Sequence, residues 1–144
     1  MASLPIHWIV ARAFCHATEE ESRVALALET AVPKGATTRR ALEGEHGNPL
    51  VILTRRVDAP ADVRAVWSQW SEAGLVAALR NAVDSRVDDD GILHLRIDKQ
   101  KAFQGMLVPA READTIDVQV KLKAYPAKPE EIRRIATLLV SEEV

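Results

Sequence analysis

The chain has 144 residues, of which 47% are apolar and 28% charged, with a formal net charge of -2. This balance is that of an ordinary globular protein rather than a disordered one, and the length predicts a single domain over residues 1–144. No apolar run could span a bilayer, no signal-peptide pattern opens the chain, and one cysteine rules out an internal disulfide, so we expect a cytoplasmic protein without membrane contact.

The chain begins with the patterns of a strand and a helix. Alternation predicts a strand from Ile6 to Cys15, with Ile6, Trp8, Val10 and Phe14 on one face and Ile9 and Ala11 on the other. Thr18 and Glu21 have the spacing of a capping box, which predicts a helix N-terminus. An amphipathic stripe follows, and Pro33 and Gly35 should end the helix.

Two strands and two helices are predicted next. Residues 36–43 favour a half-exposed strand, and the apolar run 50–53 predicts a buried strand that extends to Val57. Pro60 should begin a helix that buries Trp67 and Trp70. After Gly74, a second helix is predicted with the inner stripe Leu75, Ala78, Leu79 and Ala82.

The last third predicts two alternating strands and a closing helix. Residues 93–98 and 116–123 alternate apolar with polar side chains and should form half-buried strands, and residues 99–105 should form a polar connection between them. The stripe Ile132, Ile135, Ala136 and Leu139 predicts the final helix. Paired strands between helices predict an α+β, two-layer sandwich: a mostly antiparallel sheet with all helices on one face.

The sequence has no arrangement typical of an active site or a metal centre. Cys15 and His16 are adjacent in a predicted strand, so their side chains point to opposite faces and cannot converge as a nucleophile and its base. The four histidines are spread along the chain without ligand spacing. We therefore expect neither catalysis nor a metal or other cofactor.

Three segments carry a resemblance to a known family: residues 16–20 (HATEE), 44–50 (GEHGNPL) and 96–105 (RIDKQKAFQG). In this order they resemble an archaeal family described as predicted RNA-binding proteins and predicted exosome subunits. The resemblance implies RNA as the partner. It also implies the fold of the large-subunit ribosomal protein that holds 5S ribosomal RNA, a two-layer α+β sandwich.

The third segment supplies the first candidate RNA-binding residues, Lys99, Gln100 and Lys101. Two ammonium groups and an amide after a strand end could hold phosphates. The alternative is a solvated connection in which Asp98 and Gln100 bond the turn backbone.

The other two segments add His46, Asn48 and His16. The first two could donate to a phosphate or a base, although Asn48 before a proline is equally a turn residue. His16 precedes a helix N-terminus, a position that favours anions because of the helix dipole. The alternative is that the glutamates at 19–21 already supply the negative charge that this dipole favours.

Outward side chains of the last two strands are a further source of positive charge. His94 and Arg96 on one strand, with Lys121 and Lys123 on the other, would form a basic ladder if the strands are neighbours. Aromatic residues are only 4% of the chain, so a stacking platform for single strands has little support, and backbone contacts to structured RNA are favoured.

The sequence as a whole therefore predicts a non-catalytic protein that binds structured RNA through backbone phosphates. The expected setting is RNA processing or ribonucleoprotein assembly, with RNA-processing or ribosomal proteins as further partners. The alternative is a protein–protein adaptor subunit of a larger RNA-processing complex, which the near-neutral net charge would suit.

Overall fold

The computed structural model describes residues 4–43, 47–111 and 114–141. In chain order the elements are β1 (Ile6–His16), α1 (Glu21–Ala31), β2 (Ala36–Glu43), β3 (Pro49–Val57), α2 (Pro60–Glu72), α3 (Leu75–Leu79), a 3-10 turn (Arg80–Ala82), α4 (Val83–Arg86), β4 (Ile92–Asp98), α5 (Lys99–Phe103), β5 (Thr115–Leu122) and α6 (Pro129–Ser141). Within these ranges no helix is both long and apolar enough to cross a bilayer.

The five strands form one sheet in the order β2-β3-β1-β5-β4, and every neighbouring pair is antiparallel. The first strand therefore lies at the centre of the sheet, and β2 and β4 lie at its edges. This arrangement confirms the predicted α+β class and the antiparallel sheet.

One face of the sheet and the inner stripes of the helices share a single hydrophobic core. Alternate residues of β4 and β5 are buried in it: Leu93, Leu95, Ile97, Ile116, Val118, Val120 and Leu122. Helix α2 contributes Trp67 and Trp70, both 0% exposed, with ring centroids 5.6 Å apart. The two-layer sandwich with helices on one face, and the burial of both tryptophans, are confirmed.

The first strand is apolar on both of its faces. Its core side is lined by Ile9, Ala11, Ala13 and Cys15, and the opposite side by Trp8, Val10 and Phe14, which are only partly buried. A register shift between Ile6 and Trp8 brings Ile6 to the core side. The prediction that Ile6 shares a face with Trp8 is therefore wrong, because a bulge breaks the alternation.

The predicted capping box at Thr18 is also wrong. Helix α1 begins at Glu21, and its N-cap, Glu20, makes no side-chain capping hydrogen bond. Thr18 instead lies in a turn that closes with a hydrogen bond from the Glu19 amide to the His16 carbonyl at 2.9 Å. This turn delays the start of the helix.

Residues 99–103 form the short helix α5 rather than a polar connection. Asp98 caps this helix, because its Oδ1 accepts a hydrogen bond from the Lys101 amide at 2.9 Å. The capping residue and the burial of Ala102 against the core explain the helix. The role of Asp98 matches the alternative in which it bonds the local backbone.

Two predicted apolar stripes are only partly correct. In β3, Leu53 and Val57 are buried on the core side, but Leu50 and Ile52 are only partly buried because they lie opposite His16 and Phe14 on the face away from the helices. In the segment after Gly74, the buried residues are Leu75, Val76, Leu79 and Val83 rather than a stripe with Ala78 and Ala82. Leu75, Leu79 and Val83 keep a spacing of four residues, and Val76 rather than Ala78 completes the stripe, so the buried face is rotated from the predicted one.

Candidate nucleic-acid interface

Lys99 lies where the end of β1, the start of α5 and the start of β5 meet. Its Nζ donates to the Phe14 carbonyl at 3.0 Å and forms ion pairs with Glu19 at 2.9 Å and Asp114 at 2.7 Å. Only 3% of its side chain is exposed. All three ammonium protons therefore have acceptors inside the protein, and the prediction that this lysine is solvated is wrong.

The charges in this cluster stabilise one another. Burial alone would lower the pKa of Lys99, but hydrogen bonds and charge from Asp114 and Glu19 outweigh burial and raise it above its ordinary value. Burial alone would raise the pKa of Asp114, but hydrogen bonds from Lys99 and Gln100 lower it. The Lys99–Asp114 pair therefore stays ionised around neutral pH and ties α5 to the sheet.

Several other predicted residues lie at this same end of the sheet. His16 and Gln100 line a shallow groove together, and the Gln100 amide donates to Asp114 at 3.1 Å. Lys101 is exposed on α5. Asn48 is exposed just before β3, near His16, because His16 pairs with Leu50. Their contact with RNA stays a prediction, and His46 lies outside the described residues.

The predicted ladder between β4 and β5 forms in part. The strands are neighbours, with His94 opposite Gln119 and Arg96 opposite Asp117. His94 Nε2 lies 2.7 Å from Asp88, and Arg96 lies 3.6 Å from Asp117, so both have acidic partners.

Two lysines lie at the other end of the ladder. Lys121 Nζ donates to the Asp90 carbonyl. Lys123 follows the end of β5, where its backbone amide bonds the Pro5 carbonyl at 2.8 Å. The four ladder residues therefore do not form one uninterrupted row.

The face of the sheet opposite the helices, which we call the open face, gathers positive charge. The register of the strands places these basic residues on it: Arg12, Arg40, Arg56, Arg96 and Lys121, with His94 among them. The acidic residues at the corresponding positions of the described strands are Asp98 and Asp117, and two more aspartates reach this face from adjoining segments, Asp58 beside Arg56 at 3.4 Å and Asp88 beside His94. Five arginines and lysines against these four aspartates leave a small excess of positive charge on this face of a chain whose net charge is -2.

Two arginines of the open face lie over aromatic rings of the central strand. The guanidinium carbon of Arg56 is 5.2 Å from the centroid of the Trp8 ring, and that of Arg12 is 5.7 Å from the Phe14 centroid. Both distances are within the range of a cation–π interaction. The structure thus places two aromatic–arginine pairs on the uncovered side of the sheet.

The sequence draws attention to the basic pairs that contain Arg40 and Arg56, but the candidate RNA-binding residues included neither of them nor Arg12, and the exposure of Trp8 and Phe14 was not predicted. A signal for the aromatic pair was present in β1, which carries small residues on one face and large aromatic ones on the other. Helices on one side of a sheet cover only one face of each strand. In this structure they pack on the face of β1 that carries the small residues. The position of Arg40 depends on the pairing of β2 with β3, which the sequence did not establish.

No group of three or more His, Cys, Asp or Glu side chains is placed to hold a metal ion within residues 4–43, 47–111 and 114–141. The strongest chemical features of the described surface are instead the open face and the groove beside His16.

Comparisons with known proteins agree with a nucleic-acid interface. A family model described as RNA binding matches residues 8–122. The chain is 31% identical over 140 residues to "RNA-binding protein PAB1135" of Pyrococcus abyssi, and the match covers 90% of each chain.

Solved archaeal structures have a similar fold. Mth689, a DUF54 protein from Methanothermobacter thermautotrophicus, is 33% identical with a TM-score of 0.79, covering 94% of this chain and 98% of that one. Protein AF2318 from Archaeglobus fulgidus is 28% identical with a TM-score of 0.83, covering 93% and 99%. The match of the family model to most of the chain, together with the identity to the Pyrococcus protein, shows that this chain belongs to the RNA-binding family.

Proposed function

We propose that this protein binds structured RNA without catalysis, and that the open face of its sheet is the contact surface. The observation that carries the proposal is the concentration of positive charge on a sheet face that no described helix covers. Family membership supports RNA as the ligand, and the relative from Pyrococcus is named as an RNA-binding protein.

The dimensions of the open face suit a phosphate backbone. Five strands at about 4.8 Å spacing give a width of about 19 Å between the two edges. Arg40 and Arg96 are exposed on the edge strands β2 and β4, so they can contact phosphates on either side of a bound RNA. Such contacts fix the position of the RNA without reading its sequence.

The proposed setting is RNA processing or ribonucleoprotein assembly, as the resemblance to predicted exosome subunits implies. A protein that holds RNA through phosphates and lacks its own chemistry would act by presenting or protecting the RNA. Protein partners in such an assembly would need a surface that the RNA leaves free, such as the helical layer.

The test is the salt dependence of binding to a labelled RNA hairpin, measured by fluorescence anisotropy. Each phosphate contact releases counterions, so the affinity should fall linearly on a log–log plot against salt. Changing Arg40→Gln and Arg96→Gln together should weaken binding to all sequences alike and reduce the slope by about one to two units.

A control that is matched in charge is the double change Lys128→Gln and Arg133→Gln, which removes two exposed cations at the start of α6 on the helical layer. It should leave the slope and the affinity unchanged. Equal effects of the two double variants would remove the open face from the interface. No RNA affinity at low salt would contradict the proposal and favour a protein–protein adaptor.

A further inference from the structure

The central strand holds two aromatic side chains where the core does not need them. Trp8 and Phe14 lie on the open face and keep part of their surface exposed, although small residues on the other side of β1 complete the core. They are on one strand and six residues apart, which separates them by about 20 Å. Two large rings on one uncovered face are a feature that typically serves binding.

Each ring lies beside an arginine, at the distances given above for Arg56 with Trp8 and Arg12 with Phe14. A guanidinium plane and an aromatic face both stack on a nucleobase, and the guanidinium also attracts the phosphate next to it. The two pairs therefore combine the two groups that proteins use to hold single-stranded nucleic acid.

Hydrogen-bonding groups lie between the two rings. A depression of about 160 Å³ in the middle of the open face is lined by Val10, Arg12, Thr54, Asp117 and Gln119. The Gln119 amide and the Thr54 hydroxyl, beside Val10, can bond the exposed edge of an unpaired base. In a duplex these base edges are already paired and the base faces are stacked inside.

We infer that the open face binds an unpaired segment of RNA, a loop, bulge or end, with its bases stacked on Trp8 and Phe14. This inference rests on the proposed function and adds the class of RNA that the face selects. The low aromatic content of the chain does not oppose it, because two of the few aromatic residues lie together on this face. Phosphates that flank the unpaired segment reach the arginines at the edges of the sheet.

The test uses two RNAs of equal charge, a hairpin with a long unpaired loop and a fully paired duplex, each titrated against the protein. Trp8 is the only partly exposed tryptophan, since Trp67 and Trp70 are both 0% exposed. The hairpin should quench the intrinsic fluorescence, and the duplex should not. Trp8→Leu should abolish the quenching while the two buried tryptophans still report an intact fold.

Affinities of substituted proteins complete the experiment. Trp8→Leu and Phe14→Leu should each weaken hairpin binding about tenfold and leave the weak duplex binding unchanged, because stacking on a protein aromatic contributes about 1–3 kcal/mol per base. The matched control is Phe103→Leu in α5, whose ring also lies under an arginine, 5.2 Å from the Arg23 guanidinium carbon, but on the helical layer. This control should bind the hairpin normally.

The outcomes separate the two proposals. Tight hairpin binding that is unaffected by Trp8→Leu and Phe14→Leu would overturn the stacking inference and leave RNA binding intact. Preference for the duplex, or a loss of affinity confined to Phe103→Leu, would overturn it as well. Absence of binding to both RNAs would overturn the proposed function itself.

Discussion

Lys99 shows how one side chain can look like a ligand-binding group in the sequence and yet support the fold. It is one of a run of polar residues after a strand end, which is where a phosphate-binding lysine would be expected. Its partners Glu19 and Asp114 are 80 and 15 positions away in the chain. No local pattern reveals such partners, so the sequence could predict a lysine of interest here but not its role.

A comparison of the stabilities of two lysine variants tests whether Lys99 supports the fold. Lys99→Ala should lower the free energy of unfolding by about 1.5–3 kcal/mol, the contribution of hydrogen bonds to a charged group. Lys101→Ala, two residues on and exposed, should change it by less than about 0.5 kcal/mol. Urea denaturation of both variants measures the difference, and equal stabilities would contradict the structural role of Lys99.

Single elements show which local patterns were sufficient for prediction. Strands β4 and β5 matched the prediction to within one residue at each end because period-two alternation persists through each of them. Helix α5 was missed because five residues are too few for a clear helical period, and its cap depends on the Asp98 side chain. The face of β1 that enters the core was ambiguous because both faces are apolar.

The buried tryptophans of α2 lead to a prediction about how α2 is joined to α1. Trp70 Nε1 donates to the Ala31 carbonyl at 2.7 Å and so joins α2 to the end of α1, whereas the buried Trp67 Nε1 has no hydrogen-bond partner among the described residues. Trp70→Phe should therefore destabilise more than Trp67→Phe, by about 1–3 kcal/mol, because it leaves a buried carbonyl unpaired.

Thermal or urea unfolding of these two variants provides the measurement. Both changes remove a similar ring volume from fully buried positions, so the difference isolates the hydrogen bond. A larger loss of stability in Trp67→Phe would contradict the account of how α1 and α2 are joined.

For the whole molecule, the sequence was sufficient to predict the class and layers of the fold but not the binding surface. Alternating strands between amphipathic helices imply a sheet with one covered face, and the structure has that arrangement. The open face, in contrast, is assembled from all five strands, and its charge is visible only when the strand order and register are known. A net charge near zero is compatible with a positive face, but only the strand register shows which basic residues form it.

An NMR titration that follows the three tryptophan indole N–H signals tests most sharply whether RNA lies on the open face. We predict that RNA shifts the Trp8 indole signal and the amides of β1, β3 and β5, while the indole signals of the buried Trp67 and Trp70 remain in place. An unchanged Trp8 signal, with shifts confined to α1 and α5 around the exposed Lys101, would contradict the account and place the RNA at the helical end of the molecule.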